Sequence, residues 1–250
     1  MLRRGPSLRS FAAAASFRVG CTSLAYREIR RCTSFKRRCQ IKGGSNMSTM
    51  LREIFDPLGD IENQRSKYLS RLFGIFSEKI VAHWANDERA PYENLGRPTL
   101  KTSEDTRGHT LDFTFRCRSS GRSYAAEMKC EIEYQNFKYF VLERTQQLDH
   151  HRKPAFVAFL RSARYPDKYA VRIKGNEVKI DGAILVWGAV SSTAKTEVMS
   201  DKGFHDVLSI EEICQDLVEW RNPEYLEMVE QYRAWSNRLF DGLISANPPK

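Results

Sequence analysis

Two segments of this chain, 111–117 and 124–133, alternate apolar and polar residues and are separated by the five-residue link 118–122. This two-residue period predicts a β-hairpin with one apolar face and one charged face. The apolar face holds Phe113, Phe115, Ala126, Met128, Cys130 and Ile132. The charged face holds Asp112, Thr114, Glu127, Lys129 and Glu131. The hairpin therefore gathers carboxylates and a lysine on one surface.

The length of the link limits how the two strands can pair. A turn centred on Ser119 and Ser120 places Asp112 directly opposite Glu127, with their Cβ atoms about 5 Å apart. A slip of two residues places Lys129 opposite Asp112 instead and keeps the three groups together. A slip of one residue would bury the charged set and expose the phenylalanines. Both acceptable registers predict the same cluster.

Two carboxylates this close repel each other unless a cation lies between them. Hard oxygen ligands that leave coordination positions open suit Mg²⁺ or Mn²⁺. Such a metal polarises a phosphoryl oxygen and lowers the pKa of a bound water, and a neighbouring ammonium orients that water or neutralises developing charge. The cluster therefore indicates phosphodiester hydrolysis.

At these residues the sequence resembles the PD-(D/E)xK nuclease superfamily, which includes many restriction endonucleases and the archaeal Holliday junction resolvases. The resemblance implies an α/β protein with a mixed sheet and a restriction endonuclease-like core of helix, three-stranded antiparallel meander, helix and further strand. It also implies Asp112 and Glu127 as ligands of Mg²⁺ or Mn²⁺, with Lys129 as the third catalytic residue. The alternative is a solvated hairpin face with a cross-strand ion pair.

The segments before and after the hairpin are predicted to follow the order of elements that the resemblance implies. Residues 63–85 carry apolar side chains at three- and four-residue steps and predict an amphipathic helix. A helix is predicted over about 140–151, ending before Pro154, and the apolar run 155–160 predicts a strand covered on both faces. The run 183–190 predicts a second buried strand, and 191–205 a polar loop.

Two further side chains occupy positions that many members of this superfamily use at the active site. Glu78 follows Gly74 in a pattern that resembles the first-helix motif, whose glutamate approaches the metal. Its helical phase points away from the apolar stripe, which favours a solvated glutamate. Gln147 stands where several members have a glutamine that faces the site, and Gln146 fits almost as well.

A rival motif lies further along the chain. Asp167 follows a proline and is followed by Glu177 and Lys179, which matches the family name literally, whereas Leu111 stands where the first motif would have proline. Around Glu177 the sequence predicts a tight hairpin at Gly175 and Asn176, and a strand follows it where the family has a helix. The first motif is therefore preferred.

Residues 1–46 form a distinct basic leader that contains 11 of the 40 lysines and arginines but only one of the 31 acidic residues. This composition is typical of a mitochondrial transit peptide, which would place the protein in the matrix. Alternatively, the codons for Lys42, Gly43 and Gly44 can spell a purine-rich ribosome-binding element about seven nucleotides before Met47, so that the leader is upstream sequence and the protein is bacterial and cytoplasmic. We favour the bacterial interpretation.

The remaining chain is predicted to comprise a nuclease core over 47–205 and a C-terminal helical extension over 206–250, packed on the core. Its charges nearly balance, so phosphate contacts need local clusters of cations. The candidates are Arg116, Arg118, Arg122, Arg152, Lys153, Arg161 and Arg164. No cysteine pair has metal-ligand spacing, which favours reduced cysteines, and no apolar run is long enough for a membrane span.

These features predict a divalent-metal-dependent nuclease, an endonuclease acting on double-stranded or branched DNA, with a possible homodimer through the last helix. In that helix Tyr225, Met228, Val229, Tyr232, Trp235 and Leu239 form a stripe that is expected to pack on the sheet. The alternative function is a nucleic-acid-binding or structural module on the same fold that has lost catalysis.

Overall fold

The structure is a computed structural model that describes residues 51, 52, 54, 63–131, 133, 134 and 137–245. These residues form a mixed α/β fold around a five-stranded mixed sheet, so the predicted α/β class with a mixed sheet is confirmed. None of the helices in these ranges has an apolar stretch that could cross a membrane. The predicted leader 1–46 lies outside the described residues.

Strands dominate the first part of the described chain, and most of the helices lie in the second part. The first part forms α1 (Asn63–Asn86), β1 (Tyr92–Gly96), β2 (Pro98–Lys101), β3 (His109–Thr110), β4 (Phe113–Cys117), β5 (Ser123–Lys129), β6 (Glu133–Tyr134), β7 (Phe137–Lys138) and β8 (Val141–Leu142). The second part forms α2 (Pro154–Arg164), β9 (Ala170–Ile173), β10 (Asn176–Glu177), β11 (Ala183–Trp187), β12 (Ala189–Val190), α3 (Ser192–Lys202), β13 (Asp206–Ser209), α4 (Ile210–Glu219) and α5 (Pro223–Ser245). Short 3-10 helices span Thr145–His150 and Pro166–Lys168.

The central sheet has the strand order β1-β4-β5-β11-β13. The first three strands are antiparallel, whereas β11 runs parallel to β5 and β13 runs parallel to β11. In the predicted hairpin Phe113 pairs with Ala126, so the same register continued by one residue brings Asp112 opposite Glu127. The hairpin, one of its two acceptable registers and an antiparallel group of three strands are thus present.

Both faces of the hairpin are covered at its centre. On one face the aromatic ring of Phe115 packs near Tyr92, which in turn contacts Trp84 of α1. On the other face Ala125 and Leu185 are fully buried in a cluster that includes Phe159 of α2. The charged face expected from the alternation is therefore only partly solvated, because α2 packs across β5 and β11.

A second sheet has the order β10-β9-β2-β3, and its strands β2 and β3 form an insertion between β1 and β4 of the central sheet. β2 begins one residue after Arg97, and β3 ends two residues before Asp112. The amide of Leu111 donates to the carbonyl of Pro98 at 3.0 Å, which ties the two ends of the insertion together. The insertion therefore begins and ends beside the predicted site.

The structure corrects two predicted elements. Residues 140–151 were expected to form a helix but contain β8 and the 3-10 helix Thr145–His150. Residues 155–160 were expected to form a buried strand but belong to α2, which Pro154 opens at its first turn. A short apolar run suits a buried strand or a buried helix equally, and here the buried residues Phe156, Phe159 and Ala163 recur at helical spacing.

The first half of the predicted order of elements is present, whereas the second half differs. Helix α1 coincides with the predicted 63–85, but the second helix is Pro154–Arg164 and the next strand of the central sheet is Ala183–Trp187. Predicted strand 183–190 is confirmed, with a break at Gly188 between β11 and β12. The loop expected over 191–205 instead contains α3, capped by the Ser191 hydroxyl.

The C-terminal part joins the core more closely than a boundary at residue 205 suggests. β13 is the fifth strand of the central sheet, and Ser209 caps α4 by accepting from the Glu212 amide at 3.4 Å. Helix α4 packs against α1, so that these two helices together already cover one face of the central sheet.

Helix α5 consequently lies in an outer layer. Only Met228 of its apolar stripe is buried, whereas Trp235 and Leu239 are 56% and 61% exposed. Tyr232 contacts Phe76 of α1, and its hydroxyl accepts from Lys79 at 2.6 Å. The expectation that the stripe packs on the sheet was wrong, because α1 and α4 occupy that place.

Candidate functional site

Asp112 lies immediately before β4, where its side chain is held by the neighbouring strand. One carboxylate oxygen, Oδ2, accepts a hydrogen bond from the amide of Met128 at 2.9 Å. The other, Oδ1, is 3.6 Å from the guanidinium of Arg97. The backbone of β5 therefore fixes one oxygen of Asp112 and leaves the second facing a largely exposed cation.

Glu127 lies in the middle of the sheet and is only 8% exposed. Its Oε1 accepts from the ammonium of Lys129 at 2.7 Å. Its Oε2 is buried and has no hydrogen-bond partner among the described residues, and the same holds for Thr114 Oγ1 on the adjacent strand. A buried carboxylate with one unpaired oxygen is costly, since neither water nor a donor replaces its hydration.

The pKa of Glu127 is raised above its ordinary value, first by burial and also by the negative charge of Asp112. Lys129 opposes this rise but does not cancel it. The two carboxylates are therefore electrostatically coupled, as the hairpin register predicts. The surroundings of Glu127 therefore disfavour its ionised form.

Lys129 completes the cluster from the same strand. Its ammonium donates to Glu127 Oε1 and to the carbonyl of Met128 at 3.2 Å, and it lies 5.2 Å from the ring centroid of Phe156. Only 16% of its side chain is exposed. Asp112, Glu127 and Lys129 are thus brought together, and the interpretation of a freely solvated hairpin face does not fit their burial.

Glu78 lies at the mouth of a pocket of about 220 Å³. Its side chain is half exposed, as the helical phase predicts, and its carboxylate is 3.8 Å from the guanidinium of Arg97. The same guanidinium contacts Asp112, so Glu78 approaches the site through Arg97. The pocket is lined by Glu78, Lys79, Ala82, Asn94, Gly96, Arg97, Asp112 and Phe113; Glu127 and Lys129 do not line it.

The side chain of Gln147 forms hydrogen bonds within its own loop. Its Oε1 accepts from the amides of Glu143 and Arg144 at 2.8 and 3.1 Å, and its Nε2 donates to the carbonyl of Val141 at 2.9 Å. The side chain caps the 3-10 helix that replaces the expected second helix. The structure gives Gln147 a structural role and no contact with the three clustered residues.

The rival motif is an exposed surface feature. Lys179 is 3.8 Å from Asp167, and both side chains are about four-fifths exposed. Glu177 pairs with Arg172 in the second sheet, next to a turn formed by Lys174 and Gly175 rather than by Gly175 and Asn176. An ion pair in this setting is screened by water and needs no catalytic explanation.

Several arginines considered for phosphate contacts have partners within the protein. Arg116 and Arg118 form ion pairs with Glu93 on the neighbouring strand. Arg164 donates to the carbonyl of Asp201. These contacts direct part of the local positive charge to groups within the protein. Arg97, by contrast, faces the site carboxylate of Asp112.

His151 is buried near the cluster. It contacts the rings of Tyr139, Phe156 and Trp187. Burial, followed by the positive charges of Lys129, His150 and Lys153, lowers its pKa to about 4. Its neutral imidazole is therefore part of the wall beside Lys129, and no local sequence signal distinguishes it from His150.

We expect His151 to make the protein less stable as the pH falls. In the unfolded chain His151 takes up a proton near pH 6.5, whereas in the folded protein it does so only near pH 4. Between these values the unfolded state binds more protons, so about 2 kcal/mol of stability should be lost between pH 7 and 4.5. In His151→Phe, urea unfolding should show a correspondingly smaller difference between the two pH values. An unchanged difference would contradict the assignment.

We expect Glu127→Gln to raise the melting temperature of the metal-free protein by a few degrees at pH 7.5. Because the folded-state pKa of Glu127 is raised, its ionisation costs stability as the pH rises through that pKa. Glutamine removes the charge and retains an acceptor for Lys129. The control is the exposed Glu177→Gln, which should leave the melting temperature unchanged; a lower melting temperature for Glu127→Gln would contradict this account.

The donor set fits a divalent cation in part. Asp112 and Glu127 offer hard carboxylate oxygens, and Glu127 Oε2 is the buried oxygen that a cation would satisfy. The described residues contain no group of three or more His, Cys, Asp or Glu side chains arranged for a metal. A bound ion would therefore need backbone, water or substrate oxygens to complete its coordination, as is usual for Mg²⁺.

Comparison with known proteins gives no assignment: no protein-family model, no curated protein and no solved structure matches the chain significantly.

Proposed function

We propose that this protein is a divalent-metal-dependent nuclease that hydrolyses phosphodiester bonds, an endonuclease acting on double-stranded or branched DNA. The observation that carries the proposal is the buried Glu127, coupled to Asp112, paired with Lys129 and left with one unsatisfied oxygen. Such an arrangement is costly for a fold, and carboxylates whose pKa is raised by burial and by a neighbouring charge are often found at functional sites. The resemblance to the PD-(D/E)xK superfamily rests on these same residues.

The order of elements supports a restriction endonuclease-like core. From α1 to β11 the chain contains, in this order, a helix, three antiparallel strands, a helix and a parallel strand, with β2 and β3, β6–β8, and β9 and β10 as insertions between them. The carboxylates lie on the second and third antiparallel strands or directly beside them. This is the arrangement that the resemblance implies.

The residues have separable roles in the proposed reaction. Asp112 and Glu127 would hold Mg²⁺ or Mn²⁺, which when bound polarises a phosphoryl oxygen and lowers the pKa of water. Lys129 supplies a fixed ammonium that orients the attacking water or neutralises charge on the phosphoryl group. The water oxygen forms the new bond to phosphorus, and the bond to the leaving sugar oxygen breaks. The Met128 amide keeps Asp112 in place.

The alternative is a nucleic-acid-binding or structural module that has lost catalysis. The observation that favours it is the absence, within the described ranges, of a complete three-ligand metal cluster. The presence of Asp112, Glu127 and Lys129 together favours the enzyme. A bacterial cytoplasmic setting and a homodimer through α5 remain parts of the proposal.

The test is cleavage of a supercoiled plasmid and of a synthetic four-way junction by the full chain, with Mg²⁺, with Mn²⁺ and with EDTA. The proposal predicts cutting that requires metal and stops in EDTA. Cutting that continues in EDTA would contradict the metal-dependent mechanism. Binding of these substrates without cutting under any condition would favour the inactive module.

A further inference from the structure

Two cations lie in the pocket beside Asp112, and they differ in what holds them. Lys79 donates to the Tyr232 hydroxyl at 2.6 Å and lies over the Tyr232 ring, so α5 holds it away from the carboxylates. Arg97 instead faces the carboxylates of both Asp112 and Glu78. Arg97 is therefore the pocket cation that neutralises acidic side chains at the site.

The contacts of Arg97 are weak enough to exchange. Its guanidinium nitrogens are 3.6 Å from Asp112 and 3.8 Å from Glu78, longer than direct hydrogen bonds, and 59% of its side chain is exposed. Exposed ion pairs of this kind contribute about 0–1 kcal/mol. A divalent cation that binds Asp112 would displace such a contact.

The backbone keeps Arg97 at the pocket when these contacts break. Gly96, with a φ of 112°, precedes it at an irregularity in β1, and Pro98 follows it at the start of β2. Pro98 also accepts the hydrogen bond from Leu111, next to Asp112. The guanidinium can therefore rotate, whereas its Cα position stays beside the carboxylate.

We propose that Arg97 is an exchangeable counter-ion: it neutralises Asp112 and Glu78 in the metal-free protein, and when the metal binds it turns to a phosphate of the nucleic acid strand. A guanidinium can donate two parallel hydrogen bonds to a phosphate, which suits this second role. This inference rests on the proposed function. It identifies Arg97 as a positioning residue that links metal binding to substrate binding.

The test compares Arg97→Gln with Arg233→Gln in the full chain. Arg233 is a matched control, because it is also exposed and paired with a glutamate, Glu230, but lies on α5 and is not among the candidate phosphate contacts. Mn²⁺ affinity is measured by electron paramagnetic resonance without nucleic acid. Binding of a double-stranded oligonucleotide is then measured in Ca²⁺ over a range of salt concentrations.

For Arg97→Gln we expect Mn²⁺ to bind about two- to fivefold more tightly, since a competing cation is removed. Oligonucleotide binding should weaken, with the slope of log affinity against log salt smaller by about one. Arg233→Gln should change neither quantity. If the unmutated protein binds Mn²⁺ but Arg97→Gln alters only one quantity or neither, the proposal for Arg97 is wrong while the proposed function stands. If the unmutated protein binds no Mn²⁺, both are wrong.

Discussion

Replacing Lys129 with alanine should lower the rate of metal-dependent cleavage by about 10²- to 10³-fold, the usual cost of removing one fixed charge-stabilising donor. In the structure the Lys129 ammonium is held by Glu127 and the Met128 carbonyl, at the edge of the carboxylate pair. Its loss removes the group that orients water or neutralises phosphoryl charge. The measurement is the initial rate of plasmid nicking in Mg²⁺ at saturating substrate.

Two further variants distinguish catalysis from folding. Lys129→Ala leaves the buried Glu127 without its counter-charge, so Lys129→Gln, which can still donate to Glu127, should remain folded by circular dichroism and be similarly slow. Lys179→Ala removes the lysine of the exposed rival motif and should cleave at the normal rate. Loss of cleavage in Lys179→Ala but not in Lys129→Ala would move the site to the rival motif.

Replacing Trp187 with alanine should lower the free energy of unfolding by about 3–5 kcal/mol, as for other buried tryptophans. Trp187 is fully buried in β11, where it pairs with Lys129 of β5. Its indole donates to the Tyr139 carbonyl at 3.0 Å, and its ring lies 4.7 Å from that of Tyr139. Urea unfolding at pH 7.5 measures the change.

Trp235 provides the control for this large effect. It lies on α5 and is 56% exposed, so Trp235→Ala should change the stability of the monomer by less than about 0.5 kcal/mol. A cost for Trp187→Ala close to that for Trp235→Ala would mean that the β11 side of the sheet is not a tightly packed core.

The parts of the fold that the sequence predicts are those set by local periodicity. A short link and a two-residue alternation limit the hairpin to two registers, and the pairing of Phe113 with Ala126 is one of them. Helix α1 follows from a long, regular apolar stripe. Because the register determines which side chains share a face, the proximity of Asp112, Glu127 and Lys129 could be predicted as well.

The second half of the core could not be located in this way. Residues 155–160 are apolar without a clear period, and only the surrounding packing makes them part of a helix that covers β5 and β11. The polar stretch after Ser191 has little amphipathic character but is a helix, closed by Gly203 with a φ of 80°. In both cases tertiary contacts and capping residues outweigh the local pattern.

Arg97 and His151 are two residues near the site that the sequence alone did not predict. Neither lies in the motif that carries the resemblance, and each reaches the cluster through elements distant in sequence. Gln147 shows the reverse, because its position in the chain suggested the site whereas its amide is used to cap a 3-10 helix. Sequence spacing indicates which groups share an element, but not which side chains other elements bring beside them.

The central claim is that the buried carboxylates hold a divalent cation, and Mn²⁺ binding to the full chain tests it most directly. Electron paramagnetic resonance should show that the unmutated protein binds Mn²⁺, that Glu127→Gln loses this binding, and that the exposed Glu177→Gln retains it. Equal Mn²⁺ binding by the unmutated protein and Glu127→Gln, or loss of binding only in Glu177→Gln, would contradict the account.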